Sequence, residues 1–379
     1  MTQTSKQELL SEVKVRYLKA GLEGKVKILD EFCHNTGYNR KYAIRILQAG
    51  HSYKGRKRTG FKKYLGQTFQ LILKIWELLN YPCGARLKPQ LLPMAEHLAS
   101  HKEISELNEV VKGQLSEIGS ATLDRYLIRE RKIRRLHRGR STTRHGSLLK
   151  SSVSIRITNW NTRRIGFMEM DTVAHCDDNL SGEFIYSLDM VEIATGWSEQ
   201  IAVLGKSEAG IVKAIEEIKQ GLPFELLGLD SDTGSEFVNW HMVRWCKENN
   251  LSFTRSRPYY KNDNAYVEQK NYTHIRKWLG YRRYDTREQL KLINGLYRNE
   301  LRLFNNFFLP VMKIRRKEKV NNSVCKKIYD TALTPYQRLM LSKQIPLKAK
   351  QQLRQLYETL NPVKLRAEIA LKLKRILQS

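Results

Sequence analysis

Three acidic residues lie in segments whose composition suits metal-dependent chemistry. Asp171 lies in Met-Glu-Met-Asp-Thr, Asp232 in Asp-Ser-Asp-Thr-Gly-Ser-Glu-Phe, and Glu268 in Asn-Asp-Asn-Ala-Tyr-Val-Glu-Gln-Lys-Asn, and 35 residues separate the last two acids. Carboxylate oxygens are the ligands that hard divalent cations prefer. Two such cations side by side can activate an attacking oxygen and stabilise a leaving oxygen at a phosphodiester. We therefore expect the three acids to converge as a metal site.

The elements that must position these acids follow from apolar patterning. Asp171 falls in a predicted strand over 165–174, and Asp232 follows a short apolar strand over 224–231. Ligands in open α/β sheets gather just beyond such strand ends. Glu268 falls near the start of a predicted helix that runs from Asn262-Asp263-Asn264 to about Leu279. Asn264 at i−4 and Asn271 at i+3 share its helix face and would orient the carboxylate or a phosphate.

Other carboxylates compete with this assignment. Glu169 projects from the same side of its strand as Asp171, and Asp230 shares a strand side with Asp232. Asp189 and Glu236 are also near in sequence. Surface carboxylates are usually solvated, so we interpret most of these four as bystanders.

The order of predicted elements between residues 161 and 306 is typical of an α/β fold. Three strands are followed by a helix over 207–221, a strand, a helix over 237–249, a strand over 252–255 and the long helix. The flanking segments are predicted to be helical. The full division is a helix-turn-helix unit over 1–50, a basic linker over 51–65, a second helical DNA-binding unit over 66–132, a basic linker over 133–160, the α/β core over 161–306 and a basic helical C-terminal region over 307–379.

The charge of the chain is strongly positive and unevenly distributed. The formal net charge is +29, from 67 Lys and Arg against 38 Asp and Glu. Residues 151–250 are the exception, with 8 basic and 16 acidic residues. Basic segments hold a polyanion by neutralising phosphates and releasing counterions, while the acidic island concentrates candidate metal ligands. This pattern indicates a nucleic-acid partner.

Candidate DNA contacts lie on the predicted recognition helices, in the first linker and beside the third acid. The alternative for each is a solvated surface charge, above all for the three residues near Glu268. The candidates are Asn39, Arg40, Lys41, Arg45, Arg56, Lys57, Arg58, Arg125, Arg129, Arg257, Lys261 and Lys270.

Several classes of protein are excluded or disfavoured. Five scattered cysteines without a CxxC pair argue against a disulfide framework and a cysteine-rich zinc site. A signal peptide, a membrane-spanning apolar run and a GxxxxGK[ST] nucleotide loop are not found in the sequence. We expect a cytoplasmic protein with no membrane contact and no nucleotide cofactor.

The second and third acidic motifs resemble those of DDE transposases with a retroviral-integrase-like catalytic core. Ser231-Asp232-Thr233-Gly234-Ser235-Glu236-Phe237 looks like the second-acid motif, the segment from Arg257 to Glu268 resembles the third, and the spacing is similar to D,D-35-E. The nearest likeness is to bacterial insertion-sequence transposases, over about residues 160–310. Ala265 departs from the Gly of many relatives, and the zinc-binding amino-terminal domain of retroviral integrases has no counterpart.

The resemblance implies a ribonuclease-H-like core with a mixed five-stranded sheet. It implies that Asp171, Asp232 and Glu268 bind two Mg²⁺ ions, with Mn²⁺ able to substitute, and that the protein cuts and joins double-stranded DNA at element ends and target. Because two ends must be held together, we expect a homo-oligomer on DNA. The alternatives are a DNA-binding regulator derived from a transposase and a ribonuclease-H-like nuclease.

Overall fold

The first three helices share a small apolar core. The computed structural model describes residues 1–48, 64, 66–134, 164–232, 236–237, 239–256, 265–319 and 325–379. Helices α1 (Gln3–Lys19), α2 (Leu22–Thr36) and α3 (Arg40–Gln48) bury Phe32, Ala43 and Leu47 between them. Gly37 ends α2 with a φ of 67°, a left-handed conformation that glycine adopts without steric cost. The helices belong to one compact unit, Met1–Lys63, and the rest of the chain forms a second unit, Tyr64–Ser379.

The second unit begins with a helical layer before the sheet. Its members are α4 (Gln67–Leu78), α5 (Gly84–Leu87), a 3-10 turn (Lys88–Gln90), α6 (Leu91–Ser100), α7 (Glu109–Glu117) and α8 (Ser120–Ile133). This layer bonds to the C-terminal region. His97 Nε2 lies 2.7 Å from the Leu360 carbonyl oxygen, and Gln90 Nε2 donates to the Ala332 carbonyl oxygen at 3.1 Å.

A mixed sheet of five strands forms the centre of this unit. In chain order the strands are β1 (Phe167–Ala174), β2 (Ile185–Glu192), β3 (Ser198–Leu204), β4 (Gly228–Ser231) and β5 (Ser252–Arg255). Their spatial order is β3-β2-β1-β4-β5. β1 is antiparallel to β2, β2 is antiparallel to β3, and β4 is parallel to both β1 and β5. The predicted fold class, an α/β core with a mixed five-stranded sheet beside all-helical regions, is confirmed.

The two faces of the sheet differ in polarity. Met168, Met170 and Leu229 lie on a face that packs against α9 (Glu208–Gly221) and α10 (Trp240–Glu248). Because side chains alternate along a strand, their neighbours point to the other face. That face buries Glu169 and Asp189 at 0% exposure. Buried carboxylates need partners, so this face is where the fold must supply polar groups.

A long helical segment covers the polar face. It comprises α11 (Ala265–Lys270), a π-helical segment (Asn271–Arg276) and α12 (Lys277–Leu279). It is followed by α13 (Arg287–Leu296), a second π-helical segment (Tyr297–Leu301) and α14 (Arg302–Phe307). The predicted capping residues Asn262, Asp263 and Asn264 lie outside the described residues.

The C-terminal region contains a β-hairpin in addition to the predicted helices. β6 (Ile314–Lys319) pairs antiparallel with β7 (Cys325–Tyr329), and α15 (Pro335–Leu341), α16 (Leu347–Thr359) and α17 (Pro362–Gln378) follow. The hairpin escaped prediction because most of its described side chains are exposed, so that no apolar alternation marks it. Among the described residues, no helix is long and apolar enough to cross a membrane.

Candidate active site

Asp171 and Asp232 lie side by side on parallel strands. The register pairs Met170 of β1 with Ser231 of β4, so the two aspartates are the next residues along neighbouring strands. Burial, followed by the nearby charge of Asp232, raises the pKa of Asp171 to about 8. A like charge a few ångströms away disfavours ionisation. Such a pair becomes stable in its doubly ionised form when a cation lies between the carboxylates.

Asn271 connects the covering helix to Asp171. Its Nδ2 donates to Asp171 Oδ2 at 2.6 Å, and the Thr172 N–H donates to Asp171 Oδ1 at 2.8 Å. Both bonds lower the pKa of Asp171, by less than burial raises it. The other amide atom, Asn271 Oδ1, is buried without a hydrogen-bond partner. An unsatisfied oxygen beside two carboxylates makes an oxygen-only ligand set, which fits a hard divalent cation.

Glu268 lies on the same helix as Asn271, three residues earlier. Residues three apart on a helix face the same side, with Cβ atoms about 5–6 Å apart. The Glu268 side chain is exposed. Among the described residues, no group of three His, Cys, Asp or Glu side chains is arranged to hold a metal ion. The fold therefore brings Asp171 and Asp232 together and places Glu268 on the helix that covers them. In the described residues, the three carboxylates are not arranged around a common metal position.

Glu169 fixes the start of the helix that carries Glu268. Its Oε2 accepts the backbone N–H groups of Tyr266 at 3.0 Å and Val267 at 3.2 Å. The first N–H groups of a helix have no partner within the helix, and an ionised acceptor satisfies them well. Since Glu169 is two residues before Asp171 on β1, this contact ties the helix to the strand of the first acid. The sequence interpretation, in which most of the competing carboxylates are bystanders, gave Glu169 no role. The signal was its position on the same strand face as Asp171.

Lys313 is a second positioning residue that the sequence did not reveal. Its ammonium lies 4.9 Å from the centroid of the Tyr266 ring and donates to the Ile193 carbonyl oxygen. Burial lowers the pKa of Lys313 to about 8, and the charges of Glu192 and Glu169 oppose that shift. The buried carboxylate of Glu169, which bonds the start of α11, thus has a cation nearby, supplied by the region after the core.

Lys270 belongs to a buried network below the site. Its ammonium donates to His274 Nε2 at 3.0 Å, and His274 Nδ1 lies 2.9 Å from Ser198 Oγ. Burial lowers the pKa of Lys270 to about 7 and raises that of Asp189 to about 7. Each charge partly offsets the other's shift. Lys270 is 7% exposed and faces the interior, so the fold does not bring it to the surface where the sequence expected it to contact phosphate.

The other predicted DNA contacts are exposed or fall outside the described residues. Asn39, Arg40, Lys41 and Arg45 are exposed on or beside α3, where Arg40 pairs with Asp30 and Arg45 lies over the Tyr42 ring. Arg125 and Arg129 are exposed on α8, and Arg125 donates to Thr122 Oγ1 at 3.0 Å. The predictions for Arg56, Lys57, Arg58, Arg257 and Lys261 lie outside the described residues.

Comparisons with known proteins give a relative that aligns over most of the chain and partial likenesses to solved structures. No protein-family model matches the chain. The catalytic core domain of BIV integrase is 17% identical, with a TM-score of 0.28, over 45% of this chain and 91% of that chain. The HTLV-2 integrase catalytic core domain in complex with magnesium is 13% identical, with a TM-score of 0.29, over 38% and 88%. The fold assignment depends on the strand order and register of this chain, and these likenesses add no activity to it.

The relative is the uncharacterised protein y4rM of Sinorhizobium fredii. The two sequences are 33% identical over 332 residues, which cover 87% of this chain and 93% of the relative. The alignment is thus longer than the α/β core and extends into its flanking regions. The chain belongs to the family of the Sinorhizobium fredii protein y4rM.

Proposed function

We propose that this protein is a DDE-type polynucleotidyl transferase, the transposase of an insertion sequence. One observation carries the proposal: Asp171 and Asp232 are next to each other on parallel strands, and Asn271, from the helix of Glu268, bonds to Asp171 at 2.6 Å. Two carboxylates side by side, one within β1 and one just after β4, with a third acid on the covering helix, suit a reaction at a phosphodiester.

The roles of the residues follow from this arrangement. Asp171, Asp232 and Glu268 would hold two Mg²⁺ ions, or Mn²⁺ in their place. When bound, such ions supply activation of the attacking oxygen and stabilisation of the leaving oxygen. Asn271 and the Thr172 N–H orient the Asp171 carboxylate. Glu169 holds the helix of Glu268 against β1. The protein forms no covalent intermediate in this proposal, because positioning and charge stabilisation suffice.

The proposed substrate is double-stranded DNA, at the ends of the element and at the target. The net charge of +29 supports a polyanionic partner. Exposed cations on α3 and α8 support the assignment of these helices to end recognition. A homo-oligomer on DNA is part of the proposal, because two ends must be joined to one target. The division into recognition units, linkers, core and C-terminal region is likewise proposed.

The substitution Asp232→Asn tests the proposal. The substrate is a duplex that carries the inverted repeats read from the DNA flanking the gene. With Mg²⁺, we expect the variant to lose end cleavage by at least about 10²–10³-fold, since charge stabilisation of the transition state is lost. DNA affinity should stay within a few-fold of the wild type. Asp178→Asn, at an exposed turn, is the matched control and should cleave normally.

The outcomes distinguish the proposed function from its two alternatives. Unchanged cleavage by Asp232→Asn rejects the catalytic assignment. Binding to the repeats without cleavage by the wild-type protein favours a DNA-binding regulator. Preferential cleavage of an RNA–DNA hybrid or a four-way junction favours a ribonuclease-H-like nuclease.

A further inference from the structure

The hairpin formed by β6 and β7 carries an unusual density of positive charge. Six of its eleven strand residues are Lys or Arg, and the strands contain a single acid, Glu318. Four of the cations are exposed at the surface, namely Arg315, Arg316, Lys326 and Lys327. None of these residues was assigned a role by the sequence motifs or by the candidate active site.

The pairing of the strands leaves this charge only partly balanced. Glu318 lies opposite Lys326, and Arg316 forms an ion pair with Glu318 at 2.7 Å. The single acid therefore offsets only part of the positive charge of the two strands, and a hairpin of two strands is only marginally stable by itself. An anionic partner would balance the exposed charges of Arg315, Lys326 and Lys327.

The base of the hairpin is bonded across its two ends and to α15, and Lys313 also donates to the Ile193 carbonyl oxygen next to β2. The Lys313 N–H donates to Asp330 Oδ1 at 2.8 Å, and Arg338 pairs with Asp330 at 2.7 Å. The Val311 N–H donates to the Leu333 carbonyl oxygen at 2.9 Å, which closes the loop below the strands. The hairpin is therefore a projecting element on a fixed support.

This support adjoins the helix of the candidate active site. Lys313 directly precedes β6, and its ammonium lies over the ring of Tyr266, two residues before Glu268. A molecule that binds along the hairpin thus lies close to the elements that carry the acids.

We propose that β6 and β7 form a DNA-binding ribbon that holds the phosphate backbone of a duplex beside the active site. This inference rests on the proposed function and names one of its DNA-contacting surfaces. A two-stranded ribbon has the width that the major groove of B-DNA admits. Phosphates approaching Arg315, Lys326 and Lys327 would supply anionic charge opposite the exposed cations of the hairpin.

The first test compares two triple variants of the full-length protein. One variant carries Arg315→Ser, Lys326→Ser and Lys327→Ser. The control carries Lys364→Ser, Lys374→Ser and Arg375→Ser, which remove three exposed cations from α17 and give the same net charge. Affinity for a fluorescent mixed-sequence duplex is measured by anisotropy at several salt concentrations. Each phosphate contact contributes about 0.9 to the slope of log affinity against log salt, so the ribbon variant should lose about 2–3 units of slope. The control should keep the wild-type slope.

The second test uses Lys327→Glu, which reverses one exposed charge of the ribbon. Exposed substitutions usually change stability little, so the melting temperature should stay close to that of the wild type. DNA affinity should nevertheless fall, by at least about tenfold at low salt, because one phosphate contact becomes a repulsion. A purely structural role for Lys327 predicts unchanged affinity.

The results separate this inference from the proposed function. A ribbon variant with the wild-type slope, or a slope reduced no more than in the α17 control, overturns the ribbon even if the wild-type protein cleaves DNA with Mg²⁺. An altered oligomeric state with unchanged DNA affinity also overturns it, in favour of contact with a second copy. If the wild-type protein shows no salt-dependent duplex binding, the proposed function fails as well.

Discussion

Asp171 and Asp232 place two acidic groups together before any cation is bound. The charge of Asp232 is the second-largest cause, after burial, of the raised pKa of Asp171. Proximity of this kind costs folding free energy and is retained where a ligand compensates for it. The pair is therefore a site where stability and function are opposed.

The substitution Asp232→Asn should change stability in a way that depends on metal. Without divalent cations, we expect the unfolding free energy of the variant to exceed that of the wild type by about 1 kcal/mol, because the repulsion on Asp171 is removed. The urea midpoint should therefore be higher for the variant. With Mn²⁺, the wild-type melting temperature should rise, since a ligand that binds the folded state stabilises it. The variant should gain much less from Mn²⁺.

Asp178→Asn serves as the control for this comparison and should follow the wild type in both conditions. A variant that is destabilised without metal, and still responds fully to Mn²⁺, would contradict the assignment of Asp232 to a cation site.

Buried His175 makes one contribution to the stability of the folded protein decrease as the pH falls. It is fully buried, and burial, with a smaller effect of the Arg276 charge, lowers its pKa to about 3. Its ring lies 2.8 Å from Ser187 Oγ, which lies 2.7 Å from the Tyr297 hydroxyl. The unfolded chain takes up a proton near pH 6.5, whereas the folded protein does not. The contribution of neutral His175 to stability is thus present above about pH 6.5 and is lost as the pH falls toward 3.

The substitution His175→Gln separates this effect from that of the buried carboxylates, whose raised pKa values make the folded state more stable as the pH falls. The difference in unfolding free energy between wild type and variant should shift against the wild type by about 1.4 kcal/mol for each pH unit below 6.5. Urea unfolding at pH values from about 7.5 down to about 5 measures it. A difference that stays constant over this pH range would contradict the assignment of the pH dependence to His175.

At the scale of elements, the strands and helices of the core were predictable where local sequence agrees with the fold. Ser252–Arg255 was predicted with its observed bounds, and α9 begins one residue after the predicted start, with Ser207 as its N-cap. The π-helical segment after Lys270 was not predictable, because a 3.6-residue period describes only the regular part of a helix. The polar contacts on the covered face of the sheet were also not predictable, because they join residues that are distant in sequence.

The attachment of α11 to β1 leads to a prediction for Glu169. The substitution Glu169→Gln keeps an oxygen acceptor for Tyr266 and Val267 but removes the negative charge that strengthens both bonds. We expect the helix start to shift and Glu268 to move with it. The cleavage rate should then fall by about 10²-fold, because small displacements of reacting groups have effects of this size. DNA affinity should be unchanged.

Glu225→Gln, an exposed substitution just before β4, is the matched control for cleavage measured under single-turnover conditions. A cleavage rate for Glu169→Gln within a few-fold of that control would show that the anchor has no part in positioning Glu268.

At the scale of the whole molecule, contacts within the second unit join segments that the sequence analysis predicted as separate regions. The finer division into six segments stays a prediction. The order of α and β elements was predictable from periodicity, but the contacts between segments were not, since they depend on which apolar faces meet. Phe307 of α14 stacks on Tyr336 at 5.0 Å between ring centroids, and Tyr336 stacks on Tyr357 at 4.7 Å. Lys372 of α17 also bonds both carboxylate oxygens of Glu300 at 2.7 Å.

These contacts predict that a fragment of residues 161–306 does not fold, whereas a fragment of residues 64–379 does. The shorter fragment ends inside α14 and exposes Leu296, Leu301 and Phe304, each at 0% exposure in the whole protein. Loss of burial costs about 1.5–3 kcal/mol for each such side chain, and three of them approach the 5–15 kcal/mol that stabilises a typical domain. Circular dichroism during heating should show one cooperative transition for 64–379 and none for 161–306. A cooperative transition in the shorter fragment would mean that the α/β core folds without the C-terminal helices, and that Lys313 and the β6–β7 hairpin are additions to an independent α/β domain.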